Sequence, residues 1–202
     1  MGAQIQWPEL STRAFEIVAF GSRALGVNEK SSDLDVLVVG GAARRIKSTA
    51  LDLICIPHSD LASEAWLTSE LATHISQYGV WIVGSGEWRI HASIGQSALD
   101  RKERRLVSLV RSAGRAWHRL HVTFQIKYCT TIRRELQRMS LLRKAIPIPP
   151  TPVLDNNWCD NQTTLDLIEV AHSVSLDPRS KRFLLDYLER AYPGEKQHAR
   201  SH

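Results

Sequence analysis

The stretch AFGSRALGVNEKSSDLDVLVVG, residues 19–40, carries two aspartates one residue apart in a run that otherwise has the composition of a buried strand. Side chains two residues apart in a strand point to the same face, so Asp33 and Asp35 are predicted to project together while Leu34 and Val36 pack on the other face. Two carboxylates on one face repel each other unless a cation neutralises them. Oxygen ligands of this kind are typical of Mg²⁺, which takes one or two carboxylates and completes its shell with water and substrate phosphates.

A third aspartate, Asp52, lies in a similar apolar context in the stretch ALDLI. If its strand pairs beside the first, three carboxylates converge on one patch of the sheet. The intervening segment GGAARRIKSTA, residues 40–50, is predicted to be a loop or a short turn of helix, because it is too short for a full crossover helix. Asp60 is therefore kept as an alternative third carboxylate. A purely structural role, as exposed aspartates on a sheet edge, fits the apolar run LDVLVV poorly.

Upstream of the aspartate pair, the stretch FGSRALG contains the groups that a triphosphate needs. Gly21 and Ser22, directly after a predicted strand, favour a tight turn with exposed backbone N–H groups and a hydroxyl donor, and Arg23 adds a cation for phosphate oxygens. A lone Gly-Ser pair carries little information. Followed after ten residues by Asp-x-Asp and then by an aspartate in a later strand, it becomes specific.

This joint pattern resembles the active-site signature of the polymerase β-type nucleotidyltransferase superfamily, in the spacing of its minimal nucleotidyltransferase branch. The resemblance covers about residues 13–90. It implies an α+β fold, in which a small mixed β-sheet forms the nucleotidyltransferase core and a helical C-terminal domain follows.

The resemblance also implies roles for the residues that match the motif. Asp33 and Asp35 would bind two Mg²⁺ ions, and Asp52 would bind one of them while orienting the attacking hydroxyl. Ser22, presented by Gly21, would hold the phosphates of a nucleoside triphosphate, with Arg23 beside it. The implied reaction transfers a nucleoside monophosphate, expected to be AMP, to a hydroxyl acceptor and releases pyrophosphate.

The character of the chain changes near residue 97. Short β-branched runs before it predict strands over residues 15–20, 34–40, 50–57 and 79–84. A helix is predicted over residues 59–78, with Gly79 as its stop. We therefore expect a catalytic domain over residues 1–97 and a helical domain over residues 98–202. The helical domain is expected to contain basic helices over 98–145, a Pro-rich connector over 146–152 and C-terminal helices within 160–193.

Within the helical domain, the apolar spacing of residues 98–145 fits either one long helix or a hairpin with a break near 121–123. Two shorter helices are predicted over about 163–173 and 178–192. The second is expected to begin with Asp177 as N-cap and Pro178 as its first residue.

The net charge of +5 is distributed unevenly along the chain. Residues 98–145 hold 13 Lys and Arg against 3 Asp and Glu, an excess of 10, whereas the segments on either side are slightly acidic. Such a segment either faces a polyanion or is a solvated helical face. Because a polycationic aminoglycoside would be repelled by it, RNA such as tRNA, or an acidic protein, is the favoured acceptor. The alternatives are a small-molecule (antibiotic) adenylyltransferase and a non-catalytic module that binds nucleic acid or a protein partner on the same scaffold.

Composition excludes several other classes of protein. With 43% hydrophobic residues among 202, the chain can bury a substantial core, and it contains no apolar stretch of the roughly 20 residues that span a bilayer. Since the N-terminus lacks the features of a signal peptide, a cytoplasmic location is expected. The three cysteines are widely separated and predict free thiols. The oligomeric state is left open, a homodimer included.

Overall fold

The computed structural model describes residues 14–30, 32–156 and 176–191. Its N-terminal part is built on a mixed five-stranded sheet in the order β3-β4-β2-β1-β5. In chain order the strands are β1 Glu16–Phe20, β2 Leu34–Val39, β3 Arg44–Lys47, β4 Leu51–Ile56 and β5 Val80–Val83. Helices then follow the sheet, so the α+β fold class is confirmed.

Helices and short 3₁₀ turns account for much of the remaining described chain. The α-helices are α1 Gly21–Ala24, α2 Glu64–Leu67, α3 Glu70–Tyr78, α4 Gln96–Ala116, α5 Val122–Arg143, α6 Thr151–Asn156 and α7 Pro178–Ala191. The 3₁₀ turns are His58–Ala62, Glu87–His91 and Trp117–Arg119. Within the described ranges no helix is both long and apolar enough to cross a membrane.

The chain separates into two compact units. The described part of the first comprises residues 14–98 and 145–156, and that of the second comprises 99–144 and 176–191. The Pro-rich segment after α5 therefore groups with the sheet, and the Ile148 carbonyl lies 2.7 Å from Nδ1 of His74 on α3. The helix predicted over 163–173 and Cys159 lie outside the described residues.

One face of the sheet packs against the helices of the first unit. Alternate residues of β1 and β2 face the helices because their side chains share a face. The resulting core contains Val18, Phe20, Leu37, Val39, Leu61, Trp66, Ala72, Ile75 and Trp88. On the opposite face a second cluster contains Val36, Val38, Leu51, Leu53 and Cys55. Since both faces of β2 are buried, its sequence is an almost continuous apolar run rather than an alternating one.

The prediction that residues 40–50 form a loop or a helical turn is wrong, because Arg44–Lys47 form the edge strand β3. A parallel pair usually needs a long crossover between its strands. Here β2 and β4 are parallel. After β2 the chain turns at Gly40 and Gly41, both at positive φ, and continues as β3 at the edge of the sheet. It then turns back antiparallel into β4, so no crossover helix is needed.

The prediction of a single helix over residues 59–78 is also wrong. Ser63 and Ser69 interrupt it, because each hydroxyl accepts a hydrogen bond from a backbone N–H three residues ahead, that of Trp66 at 3.2 Å and that of Ala72 at 3.0 Å. A serine with this bond starts a new helix as its N-cap. The predicted stop is confirmed, since the N–H of Gly79 donates to the carbonyl of Ile75.

Residues 98–145 form two long helices, α4 and α5, rather than one. The break falls at the predicted place, where the Nδ1 of His121 accepts a hydrogen bond from the N–H of Thr123 and caps α5. The helices of this second unit share a core made of Leu106, Val110, Ala113, Ile132, Leu136, Met139 and Leu184. The predicted start of the last helix is confirmed, because the N–H of Ser180 donates to Oδ1 of Asp177 at 3.0 Å.

A buried glutamate on the first strand organises the turn after β5. The Glu16 side chain is only 8% exposed and accepts three hydrogen bonds, from Nε1 of Trp81 (3.3 Å), Nε1 of Trp88 (3.0 Å) and the backbone N–H of Gly86 (3.1 Å). Gly86 lies at a φ of +64°, and a side chain there would collide with the Trp81 indole. The segment GSGEW therefore serves as a turn that packs on Glu16.

We expect replacement of Glu16 by alanine to lower the free energy of unfolding by about 2–3 kcal/mol, because three N–H donors, two of them in buried hydrogen bonds, would lose their acceptor. Glu16→Gln should cost less, since its amide oxygen still accepts one of these bonds. Urea denaturation of the two variants and the parent would measure the difference. Equal stability of the alanine variant and the parent would contradict this role for Glu16.

Candidate active site

Three aspartates meet at one end of the sheet. Asp35 lies on β2, Asp52 lies on β4, and Asp33 immediately precedes β2. One carboxylate oxygen from each lies within 4.8 Å of the other two. Asp52 is buried, whereas the Asp33 side chain keeps 30% of its surface exposed. Solvent therefore reaches the cluster from the Asp33 side.

The strand register explains why these side chains converge. In the parallel β2–β4 pair Asp35 lies beside Asp52, and in the antiparallel β3–β4 pair Lys47 lies opposite Asp52. Residues adjacent across a sheet point to the same face, and Asp33 shares the parity of Asp35. The same register brings Leu37 beside Ile54 farther along the strands, so the polar cluster continues into the apolar core on one face.

The turn after β1 closes on this cluster. Gly21 lies at a φ of +76°, and a Cβ placed there would collide with the Oδ2 of Asp35. Glycine is therefore required at this position for two reasons, the left-handed backbone and the close approach to the carboxylate. Ser22 follows it directly, which places the Gly-Ser turn next to the aspartates as the sequence predicts.

Arg23 forms a hydrogen bond that links this turn to the segment before β2. Its Nε donates a 2.7 Å hydrogen bond to the carbonyl of Ser32, which joins the start of α1 to the residue just before Asp33. Arg23 thereby braces the loop that connects the Gly-Ser turn to the aspartates. Whether it also contacts phosphate stays a prediction.

Two cations of the edge strand β3 contact the cluster. The guanidinium of Arg45 donates from Nε to Oδ1 of Asp52 at 2.8 Å and from Nη2 to Oδ2 of the same carboxylate. The Nζ of Lys47 lies 2.8 Å from Oδ2 of Asp52 and 3.3 Å from Oδ2 of Asp33. Arg45 thus fixes the orientation of one carboxylate, while Lys47 bridges two.

These contacts separate the pKa values of two neighbouring carboxyl groups. Hydrogen bonds from Arg45, and then from Lys47, lower the pKa of Asp52 to about 2, against the opposing effect of burial. The pKa of Asp35 is raised to about 6, chiefly because burial penalises its charged form and also because Asp33 and Asp52 are negative; Lys47 and Arg45 oppose this rise more weakly. Negative charge at Asp35 is therefore incompletely neutralised.

The structure brings together most of the residues that the sequence singles out. Asp33, Asp35 and Asp52 form one cluster beside Gly21 and Ser22. The alternative carboxylate, Asp60, lies on the exposed 3₁₀ turn after β4 and is not part of it.

Sequence reasoning missed Arg45 and Lys47. The available signal was the spacing of two cations two residues apart in RRIK, a period-2 pattern that places both on one face of a strand. A loop prediction for residues 40–50 hides this pattern, because the two-residue period has meaning only in a strand.

Similarity to a family of known proteins agrees with this geometry. Residues 6–85 match the family model of the nucleotidyltransferase domain. No curated protein matches the chain. Among solved structures, a nucleotidyltransferase-like protein from Exiguobacterium sibiricum 255-15 is similar, with 13% sequence identity and a TM-score of 0.42 over 90% of this chain and 70% of that one.

The family match covers the strands and turns that carry Gly21, Ser22 and the three aspartates. It agrees with the resemblance indicated by the sequence motif. Residues 6–85 thus match a nucleotidyltransferase domain, in agreement with the resemblance of this part of the chain to the polymerase β-type nucleotidyltransferase superfamily.

Proposed function

We propose that this enzyme transfers a nucleoside monophosphate from a nucleoside triphosphate to a hydroxyl group of RNA, in a Mg²⁺-dependent reaction that releases pyrophosphate. AMP is the expected group. The convergence of Asp33, Asp35 and Asp52 within 4.8 Å is the observation that carries the proposal. The generic activity, nucleotidyl transfer, follows from the domain family.

The cluster has the chemistry of a magnesium site. Its donors are all carboxylate oxygens, which Mg²⁺ prefers, and the incomplete neutralisation of Asp35 favours binding of a further cation. Asp33 and Asp35 would hold two ions, with Asp52 as a ligand of one. Such ions supply charge stabilisation at the attacking and leaving oxygens of an in-line displacement at the α-phosphate.

The chain's own residues supply binding and orientation. Ser22 and the backbone of its turn would hold the β- and γ-phosphates, and the position of the turn against Asp35 supports this role. Asp52, held by Arg45, has a fixed direction from which to orient the acceptor hydroxyl. The acceptor oxygen forms a bond to the α-phosphorus, the bond to pyrophosphate breaks, and the hydroxyl proton leaves to water.

The preference for RNA rests on α4. Its buried side contains Leu106, Val110 and Ala113, its opposite side exposes Arg101, Arg104, Arg111 and Arg115, and Arg105 is exposed at the border between the two sides. At a rise of about 1.5 Å per residue this row of arginines extends over about 21 Å. A row of that length suits several consecutive phosphates of a nucleic-acid strand, and it would repel a polycationic antibiotic.

Part of the basic excess has an internal partner. The fully buried Glu135 on α5 lies 2.8 Å from Arg138, 3.3 Å from Arg105 and 3.5 Å from Lys102. Arg111 lies 3.4 Å from Asp177. Among the described residues, Arg104 and Arg115 are exposed and form no such ion pair, so they are the cleanest positions at which to test phosphate binding.

Activity is tested by incubating the protein with each α-labelled nucleoside triphosphate, Mg²⁺ and a mixture of small RNAs, and following label transferred to RNA. We expect Asp33→Ala and Asp35→Ala to abolish transfer while the protein stays folded, because each removes a metal ligand. Ser22→Ala should lower transfer by about 10- to 100-fold, the worth of one charge-assisted hydrogen bond.

Asp60→Ala, a carboxylate outside the cluster, is the matched control and should keep full activity. Full activity of either cluster variant would contradict the proposed metal site. Label transferred to a protein or a small molecule in cell extract, with none on RNA, would identify a different acceptor.

The charge of Asp35 should also affect how the stability of the metal-free protein depends on pH. Without metal, the raised pKa of Asp35 means that the folded protein binds this proton more tightly than the unfolded chain, so its contribution to stability falls as pH rises from about 4 to 6. At pH 8 in chelator, Asp35→Asn should therefore raise the melting temperature by about 2–4 °C, and the gain should vanish near pH 4.

Added Mg²⁺ should raise the melting temperature of the parent at pH 8 but have little effect on Asp35→Asn. The exposed control Asp60→Asn should melt like the parent under all conditions. A lowered melting temperature for Asp35→Asn in chelator would contradict a strained, negatively charged cluster.

RNA binding is tested with Arg104→Gln/Arg115→Gln. We expect this variant to bind RNA more weakly whatever the sequence, and to flatten the slope of log affinity against log salt by about 0.7–0.9 for each lost phosphate contact. Nucleotide binding should be unchanged. The double variant Arg143→Gln/Lys144→Gln removes the same charge from exposed positions at the end of α5 and should have a smaller effect. Equal RNA affinity of parent and α4 variant would show that the arginine row is a solvated face.

A further inference from the structure

The position of Lys47 differs from that of an ordinary surface lysine. Its side chain is 60% exposed, yet its ammonium group bridges the Oδ2 atoms of Asp52 and Asp33 at 2.8 and 3.3 Å. The bridge spans two of the three carboxylates that meet within 4.8 Å. The lysine charge therefore sits against the side of the cluster that remains accessible to solvent.

The hydrogen bonds at Asp52 show which lone pairs of its carboxylate oxygens are already in use. A carboxylate oxygen has two lone pairs. Arg45 uses one on each oxygen of Asp52, and Lys47 takes up the second one on Oδ2. A metal that binds Oδ2 must take the place of Lys47, whereas Arg45 can keep both of its bonds.

We propose that Lys47 is a resident counter-cation of the carboxylate cluster, which a divalent ion displaces when it binds. This inference rests on the proposed function, since it takes the three aspartates as metal ligands. The exposed, flexible stem of Lys47 allows the ammonium to leave without disturbing β3. Arg45 stays in place and continues to orient Asp52.

The charge balance assigns Lys47 opposite effects in the two states. Without metal, three carboxylates face two cations, and the ammonium reduces their mutual repulsion. With metal, the same positive charge repels the ion and competes for its ligand. Lys47 therefore stabilises the metal-free protein and weakens metal binding. An ion pair that served the fold alone would give the first effect without the second.

The test compares Lys47→Gln, Lys47→Arg and Arg44→Gln with the parent. Arg44 lies on the same strand with its side chain toward the other face, so Arg44→Gln removes one charge without removing the bridge. Affinities for Mg²⁺ and for Mn²⁺, each without nucleotide, are measured by titration calorimetry, and melting temperatures are measured in chelator. Because the Lys47 side chain is largely exposed, glutamine should be accommodated without loss of the fold.

We expect Lys47→Gln to melt at a lower temperature than the parent in chelator and to bind both ions about three- to tenfold more tightly. Lys47→Arg should keep the parent melting temperature and bind the ions no more tightly than the parent, because arginine retains the charge. Arg44→Gln should have a metal affinity close to that of the parent.

Three failures are distinguishable. If the parent binds both ions but Lys47→Gln binds them equally or more weakly, the counter-cation role is wrong while the proposed metal site stands. If Arg44→Gln tightens binding as much as Lys47→Gln, the effect is one of overall charge, and the bridge has no special role. If the parent binds neither ion, with or without nucleoside triphosphate, the proposed function itself fails.

Discussion

The site depends on one constraint, the mutual repulsion among three carboxylates. The pairing of β2 with β4 holds these carboxylates together. The parallel register sets Asp35 beside Asp52, and neither can move away without breaking the strand hydrogen bonds that also bury Leu37 and Ile54. The apolar core therefore holds in place a charge arrangement that would otherwise be unfavourable. Edge strand β3 reduces this cost by bringing two cations to the cluster.

The cations act unequally, and this inequality gives the aspartates distinct properties. Asp52 has both oxygens bonded by Arg45, so its pKa is low and its direction is fixed. Asp35 is more affected by burial and by its negative neighbours, so its pKa is high. Two carboxylates with oxygens within 4.8 Å of each other thus have pKa values shifted in opposite directions. Asp52, whose direction is fixed, would suit the orienting role proposed for it. The charged form of Asp35 would be stabilised more by an added cation.

Buried carboxylates elsewhere in the described part of the chain are stabilised by protein groups and need no metal. Glu16 is satisfied by three N–H donors of the turn after β5, and Glu135 is surrounded by lysine and arginine side chains of α4 and α5. Each has its donors or cations within reach and serves to hold local structure together. The aspartate cluster differs because the two neighbouring cations carry less charge than the three carboxylates.

By itself the sequence determined four of the five strands and the active-site pattern, and it indicated where a break between two long helices could fall, because all of these depend on local spacing. Asp33 and Asp35 share a face through the two-residue period of a strand, Gly21 is demanded by the turn beside them, and Asp177 caps its helix through a contact three residues away. Only the tertiary structure decided what residues 40–50 do. Their pattern is that of a short polar segment, and it becomes a strand because the edge of β4 offers backbone partners. The roles of Arg45 and Lys47 depend on that pairing, since their contacts with Asp52 arise from strand register, which no local period encodes.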